Sequence, residues 1–377
     1  MLRILVLTRS YPADDNLYQY PFVHRRVKAY LDAGADVAVF RQGEGQASDH
    51  RYDGVTCSTG GVEAFERKVA QERPDVVAVH GFCETMWPML AGIAGRVPVC
   101  AWLHGSEIPE FFRQKAVRIA DSRRRAEALA AVDRRAAFWR EFLADAPSAF
   151  RLVFVSHTAV DLMRVDTGTL LRDDLFAVIA NPIDTELFAY RRKAADDRFA
   201  VLSIRPFDSW TYGNDMTVGA ILQLRGRAGF ERMRFTIIGD GPLFDETLEP
   251  VRGMSNVKIA RRFLSQQEIA LEHGRNGIFL VPTRLDTHGV SRDEAMSSGL
   301  VAVTNRVSAV PEFVDESVAA LAGDGDVQGL ADALWRMVED PQLFLETSPR
   351  GSQHIRAQVS VERIVPRELR LLANAAV

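Results

Sequence analysis

Short apolar runs alternate with longer stretches of helical period from one end of the chain to the other. In the first half the runs fall at residues 2–7, 36–40, 76–79, 97–102, 152–155 and 176–180. In the second they fall at 200–204, 234–238, 257–260, 278–281, 301–304 and 319–321. They are dominated by contiguous Val, Ile, Leu and Ala instead of an apolar–polar alternation, which marks strands buried on both faces. Helical stretches between such strands predict parallel sheets joined by right-handed crossovers. About a dozen strands are too many for one small doubly wound sheet. The pattern therefore predicts an α/β chain of two Rossmann-like parallel-sheet domains facing a central cleft.

The boundary is expected between residues 181 and 198, where Pro182 punctuates the chain and residues 191–198 read as a polar linker. This gives a first domain over 1–184 and a second over 185–357. Within the remaining 358–377, residues 360–375 have the length and apolar spacing of one more helix.

Composition narrows the picture. A chain of 377 residues, 47% hydrophobic and 25% charged, is that of a soluble globular protein with two ordinary cores. A net charge of −4 argues against nucleic acid as a partner. Cys57, Cys83 and Cys100 lack metal or redox spacing and fit a reducing, cytoplasmic setting. Residues 1–7 read as a strand, not a signal peptide, and no run approaches the length of a spanning helix. Residues 108–140 set Phe111, Phe112, Val117, Ile119 and Trp139 among many arginines. Two readings are open there: a peripheral membrane-surface helix, or an ordinary lid or core-facing helix.

The candidate chemistry centres on residues 282–299, PTRLDTHGVSRDEAMSSG, which follow an apolar strand. A loop leading into a helix start aims backbone N–H groups and the positive end of a helix dipole at whatever lies above the sheet. Two carboxylates, Asp286 and Glu294, frame that start. Phosphate needs donors and sugar hydroxyls need acceptors, so the segment suits a nucleotide sugar. Ser291-Arg292-Asp293-Glu294 equally fits a capping box that does no more than satisfy orphan amides.

The segment resembles the signature of the retaining GT-B glycosyltransferases of family 4, with its paired acids at Asp286 and Glu294, Gly289 between them, and Ala295-Met296 after. The resemblance extends to His104-Gly105-Ser106-Glu107, Asn181-Pro182-Ile183-Asp184 with Phe188, Gly239-Asp240-Gly241-Pro242, and Pro311-Glu312. It implies that residues 358–377 return to pack on the first, acceptor-side domain, and that 185–357 bind the donor. Arg205 matches the family's phosphate-binding arginine, and Tyr212 stands about where its lysine is expected, with Arg261 or Arg262 as a compensating charge. Glu294 would accept from the ribose hydroxyls. Val290 and Ser291 would offer amides to phosphate, the Gly239 and Gly241 turn would border the donor, and Asp286 and His288 would lie near the transferred sugar. Asp286 replaces the usual glutamate and is one methylene shorter. His104 would contact the donor sugar beside the reacting carbon. His80 reads as acceptor-side or structural, and Tyr11, Tyr18 and Tyr20 either stack on a sugar or pack their loop.

The function implied is metal-independent, cofactor-free transfer of a hexosyl unit, with retention, from a nucleotide-diphosphate sugar to a hydroxyl of a glycan or lipid-linked acceptor. Bacterial surface-polysaccharide assembly is the family's commonest setting. Asp324-Gly325-Asp326 reads as a surface turn instead of a metal site. The rival readings are a degenerate subunit without turnover, motivated by Asp286 and Tyr212, and a nucleotide-sugar epimerase. No GxGxxG follows the first strand, which disfavours a dehydrogenase.

Overall fold

The computed structural model describes residues 1–13, 19–119 and 121–376. The chain forms two compact units, one of Met1–Pro182 with Val361–Val377 and one of Ile183–Ser360. The first holds strands β1 (Arg3–Thr8), β2 (Asp36–Gln42), β3 (Ser48–Tyr52), β4 (Val55–Gly60), β5 (Val76–His80), β6 (Val99–Leu103), β7 (Phe150–Phe154) and β8 (Phe176–Val178). They make one eight-stranded sheet in the order β3-β4-β2-β1-β5-β6-β7-β8. All its pairings are parallel except β3 with β4. The second unit holds β9 (Ala200–Ile204), β10 (Arg234–Gly239), β11 (Val257–Arg261), β12 (Ile278–Leu280), β13 (Val301–Asn305) and β14 (Ala320–Ala322). These form a six-stranded parallel sheet in the order β11-β10-β9-β12-β13-β14.

Every apolar run named from the sequence is a strand here, and the buried faces follow from it. β5, β6 and β13 are buried at each position, as expected of strands covered by helices on both sides. Only the β3–β4 hairpin escaped the hydrophobic pattern. β3 is Ser-Asp-His-Arg-Tyr and carries no apolar run, because it lies at the sheet's exposed edge. Its signal was the turn. Asp53 and Gly54 both have positive φ, 42° and 79°, the geometry that Asp-Gly supplies to a two-residue hairpin.

Residues 108–140 divide into the helix Pro109–Ala116 and the longer helix Ser122–Ala144. The second half of the longer helix turns Val132, Ala136, Trp139, Phe142 and Leu143 inward. Trp139 is fully buried and donates its indole N–H to the Glu107 carbonyl at 2.8 Å. The core-facing reading therefore holds for that half, and Trp139 is not a membrane anchor. Among the described residues no helix is long and apolar enough to cross a membrane.

The closing helix Val361–Ala375 belongs to the first unit, burying Ile364, Val365, Glu368 and Leu372. Glu368 is fully buried. Its carboxylate accepts from Arg26 Nε at 3.1 Å and from the Tyr30 hydroxyl at 2.7 Å, both on the helix Pro21–Asp32. This buried ion pair ties the last helix to the first across 342 positions of sequence.

Removing one partner of a buried pair strands the other charge. Glu368→Ala is expected to lower the stability of the first unit by about 3–5 kcal/mol, read as an earlier urea transition of that unit with the second unit's transition unmoved. The second unit has its own titrating group in His273, buried with Nδ1 3.1 Å from the Ser298 hydroxyl. Burial pushes its pKa from 6.5 down to about 3. The unfolded imidazole takes up a proton near 6.5 and the folded one resists it, so stability falls as pH drops below that value, by up to about 1.4 kcal/mol per pH unit. His273→Gln should flatten this slope in urea titrations between about pH 6 and 4. An unchanged slope would assign the acid sensitivity elsewhere.

Candidate functional site

In each sheet the strand order reverses at one place, and open α/β sheets bind ligands beyond the carboxyl ends of the strands there. In the second unit the reversal lies between β9 and β12. Arg205 follows β9, and the loop 282–289 follows β12. In the first unit it lies between β1 and β5, and β5 ends on His80.

The second unit's edge is built by backbones in close approach. Arg205 N–H donates to the Ile238 carbonyl, and Phe207 N–H to that of Asp240. A Cβ on Gly239 would sit 1.9 Å from the Arg205 carbonyl oxygen, and one on Gly241 would sit 2.4 Å from the Phe207 carbonyl carbon. These two glycines are required by the crossing of the β9 and β10 loops. The loop after β12 is fixed just as firmly. Arg284 pairs with Asp215 at 2.5 and 2.7 Å and donates to the Trp210 carbonyl, while Asn305 brackets Thr283 through both its amide atoms.

On this platform the Arg205 side chain is only 8% exposed. Its Nη1 donates to the Ser291 hydroxyl at 3.2 Å, and the Tyr212 ring lies 5.1 Å from its guanidinium carbon. Its Nε is buried without a hydrogen-bond partner among the described residues. Burial lowers the pKa of this guanidinium, and the charge of Asp286 partly offsets that. Burial raises the pKa of the Tyr212 phenol, against the pull of Arg205. The pair is thus a cation beside a neutral phenol.

The helix Val290–Ser297 begins beside Arg205, with Gly289 at its N-cap at φ 96° and no side chain capping it. The capping box is not formed. Ser291 lies inside the first turn, and its hydroxyl serves Arg205. The first-turn amides of Val290 and Ser291 therefore lack a helical acceptor, which is the arrangement that receives anions. Glu294 lies on the same helix, 5% exposed. Asp286 accepts the His288 backbone N–H at 3.0 Å, tightening the loop.

Three expected donor contacts are placed otherwise. The His288 imidazole is buried, 3.0 Å from Asp293 and tilted against the Phe313 ring at 4.1 Å, so it packs the inner side of the loop. Arg261 is engaged by Asp240 and Asp245, and Arg262 by Glu268. Each is half exposed, so compensating for Tyr212 would mean exchanging these carboxylate partners for phosphate. Asp326 caps the helix Val327–Glu339 by accepting from Gly329 N–H.

In the first unit, His104 follows β6 and is half buried, its ring 4.6 Å from that of Phe22. The Glu107 carboxylate accepts from the backbone N–H groups of His104 and Gly105, at 2.8 and 2.9 Å, and fixes the turn. Burial raises the Glu107 pKa, against those amides. His104 Nε2 is 3.0 Å from His80 Nδ1, and His104 Nδ1 is 3.2 Å from Asn181 Oδ1. Asn181 in turn accepts from Arg26 Nη2 at 2.8 Å. His80 is fully buried, and burial holds its pKa well below the usual range. Tyr11 is also fully buried, its hydroxyl 2.6 Å from His24 Nδ1, which excludes it as a stacking platform. Tyr20 packs on Phe22 at 5.0 Å, and Tyr18 lies outside the described residues.

Sequence reasoning missed Arg26, Glu368, Arg284 and Asp215. Each works through a partner distant in sequence, and no local spacing marks such pairs. Asn181 stood within a quoted motif, but nothing in the motif revealed its bond to His104.

Comparison with known proteins agrees with this geometry. Residues 21–187 match the model for Glycosyltransferase Family 4, and residues 199–340 match the model for Glycosyl transferases group 1. The chain is 27% identical over 203 residues to the MMP alpha-(1->4)-mannosyltransferase of Mycolicibacterium hassiacum, covering 53% of this chain and 48% of that protein. It is 25% identical over 134 residues to the N-acetyl-alpha-D-glucosaminyl L-malate synthase of Bacillus anthracis, covering 35% of each. The chain thus spans a third to a half of these relatives' lengths. In fold it is similar to sucrose-phosphate synthase from Thermosynechococcus elongatus, with a TM-score of 0.74 at 15% identity over 99% of both chains. It is similar also to Anabaena HepE in complex with UDP and glucose, with a TM-score of 0.71 at 15% identity over 99% of this chain and 100% of that one. The two parallel-sheet domains, each matched by its own model, place the chain in the group 1, family 4 glycosyltransferases of GT-B fold.

Proposed function

We propose that the chain transfers a hexosyl unit, with retention, from a nucleoside-diphosphate sugar to a hydroxyl of a glycan or lipid-linked acceptor. The observation that carries this reading is the unfinished electrostatics of Arg205. Its guanidinium is buried with a hydroxyl and a phenol for company, and its Nε has no partner among the described residues. A buried charge hydrogen-bonded to a neutral hydroxyl, and only partly offset by Asp286, is costly. A diphosphate held between Arg205 and the amides of Val290 and Ser291 would complete it. Glu294 and Asp286 are the acceptors for ribose and sugar hydroxyls. That HepE was solved with UDP and glucose supports a nucleotide sugar as the ligand class.

In this reaction the bond from the anomeric carbon to the diphosphate oxygen breaks as the bond to the acceptor oxygen forms on the same face. The anomeric carbon becomes oxocarbenium-like, and negative charge grows on the leaving diphosphate. Arg205 and the helix N-terminus stabilise that charge, and such preorganised donors are the largest catalytic effect when they are buried. The acceptor proton passes to the leaving phosphate oxygen, so the step balances without a separate base. The phosphate charge is met by Arg205 and amides, and we propose turnover without a bound metal.

The test is to incubate the chain with nucleotide sugars and hydroxyl acceptors and to follow nucleoside diphosphate release, with the product anomer read by proton NMR. Retention is expected, and an inverted product would contradict the mechanism. Arg205→Gln is expected to lower kcat by roughly 100-fold or more, the size of losing one preorganised charge-stabilising donor. EDTA is expected to leave the wild-type rate unchanged, and a metal-restored loss would overturn the metal-free reading.

A further inference from the structure

Side chains of the second unit hold His288 by its backbone and by its ring. Its N–H donates to Asp286 Oδ1 at 3.0 Å, and its carbonyl accepts from Arg292 Nη2 at 2.8 Å. Its imidazole Nε2 lies 3.0 Å from Asp293 Oδ2, with the ring against Phe313. Arg292 also donates from Nε to Asp293 Oδ1 at 2.8 Å, and its guanidinium carbon lies 5.6 Å from the Phe313 ring. Arg292 is 2% exposed and Asp293 is fully buried. The guanidinium sits where a side chain on Gly289 would be, since a Cβ there would lie 2.9 Å from both Cζ and Nη1. Gly289, at φ 96°, thus supplies both the turn and the room for Arg292.

A buried ion pair is a poor way to stabilise a core, because apolar residues of similar volume are often at least as good. The position of this one gives it a different use. A helix start is ordinarily fastened by a side-chain oxygen that accepts from the N2 or N3 amide, and this occupies donors that an anion needs. The start at Gly289 has no such cap, and an intrahelical bond runs from Asp293 N–H to the Gly289 carbonyl at 3.1 Å. Arg292 fastens the incoming chain from its carbonyl side, which leaves the amides of Val290 and Ser291 to a ligand. We propose that Arg292, braced by Asp293, is a positioning residue that fixes the His288–Gly289 peptide and so presets those amides for the donor diphosphate. This rests on the reading above, in which the diphosphate lies between Arg205 and the helix start. A preset loop binds more tightly because the ligand need not order it.

The test compares the wild type with the double variant Arg292→Met, Asp293→Asn. Removing both charges of a buried pair is often tolerated, and the net charge stays the same, so a weaker affinity cannot be put down to it. Calorimetric titration uses UDP, GDP and ADP as probes. The diphosphate that binds the wild type is expected to bind the double variant about tenfold more weakly, the size of one hydrogen bond with a charged partner. The urea transition of the second unit is expected to move little. Arg292→Lys keeps a donor for the carbonyl and for Asp293 and is expected to restore most of the affinity, whereas a packing role would be served better by methionine. Wild-type affinity in the double variant, or a lysine variant no better than it, would overturn the proposal. Amide hydrogen exchange of the ligand-free wild type gives a second reading that needs no variant. The His288 N–H is expected to be protected before any nucleotide is added, and exchange at the free rate until a diphosphate is present would also overturn the proposal. If none of these diphosphates binds the wild type, the transferase reading fails, and the protection of His288 still decides whether the loop is preset.

Discussion

A guanidinium at the carboxyl end of the first strand of a sheet, buried between a hydroxyl and a phenol, constrains everything around it. Arg205 is where it is because β9 ends at the reversal of strand order, and because Gly239 and Gly241 let the neighbouring loop cross it without a side chain between them. The loop after β12 is pinned opposite by Arg284, Asp215 and Asn305. That loop delivers a helix start with no cap of its own. The fold thus sets a buried nitrogen that has no hydrogen-bond partner among the described residues beside an open helix end. Both features are destabilising alone, and both are relieved by the same kind of ligand, an anion with several oxygens.

In the first unit the charges near His104 meet partners within the unit, although Arg26 Nη1 and Glu107 Oε1 have no hydrogen-bond partner among the described residues. Glu368 meets Arg26 and Tyr30, Arg26 meets Asn181, and Glu107 is taken up by the turn it closes. This network gives the closing helix a reason to return to the first unit beyond its apolar stripe.

Much of the fold was legible because parallel strands covered on both faces must be apolar at nearly every position, as β5, β6 and β13 are. The β3–β4 hairpin was not, since an exposed edge strand has no such need and only Asp53-Gly54 marked it. Arg205, Ser291 and Glu294 lie at the strand–loop–helix junctions that their order in the sequence predicts, and Arg205 meets Ser291 there. The same logic left the orientations of His288, Arg261, Arg262 and Tyr11 open, because position after a strand does not say whether a side chain turns outward or back. His288 turns to Asp293 and Phe313, the two arginines meet nearby carboxylates, and Tyr11 bonds His24. The Asn181–His104 bond and the Arg26–Glu368 pair join distant segments, and single-chain periodicity carries no information on such pairs.

The claim at the centre of this account is that phosphate oxygens complete the Arg205 site. The most direct measurement is a thermal-shift titration of the wild-type chain comparing each nucleoside with its diphosphate. A diphosphate at a hundred times its dissociation constant should add about 2.7 kcal/mol and raise the midpoint by a few degrees. The same nucleoside without phosphates should leave it nearly unmoved. Equal stabilisation by both, or by neither for every base, would contradict the account.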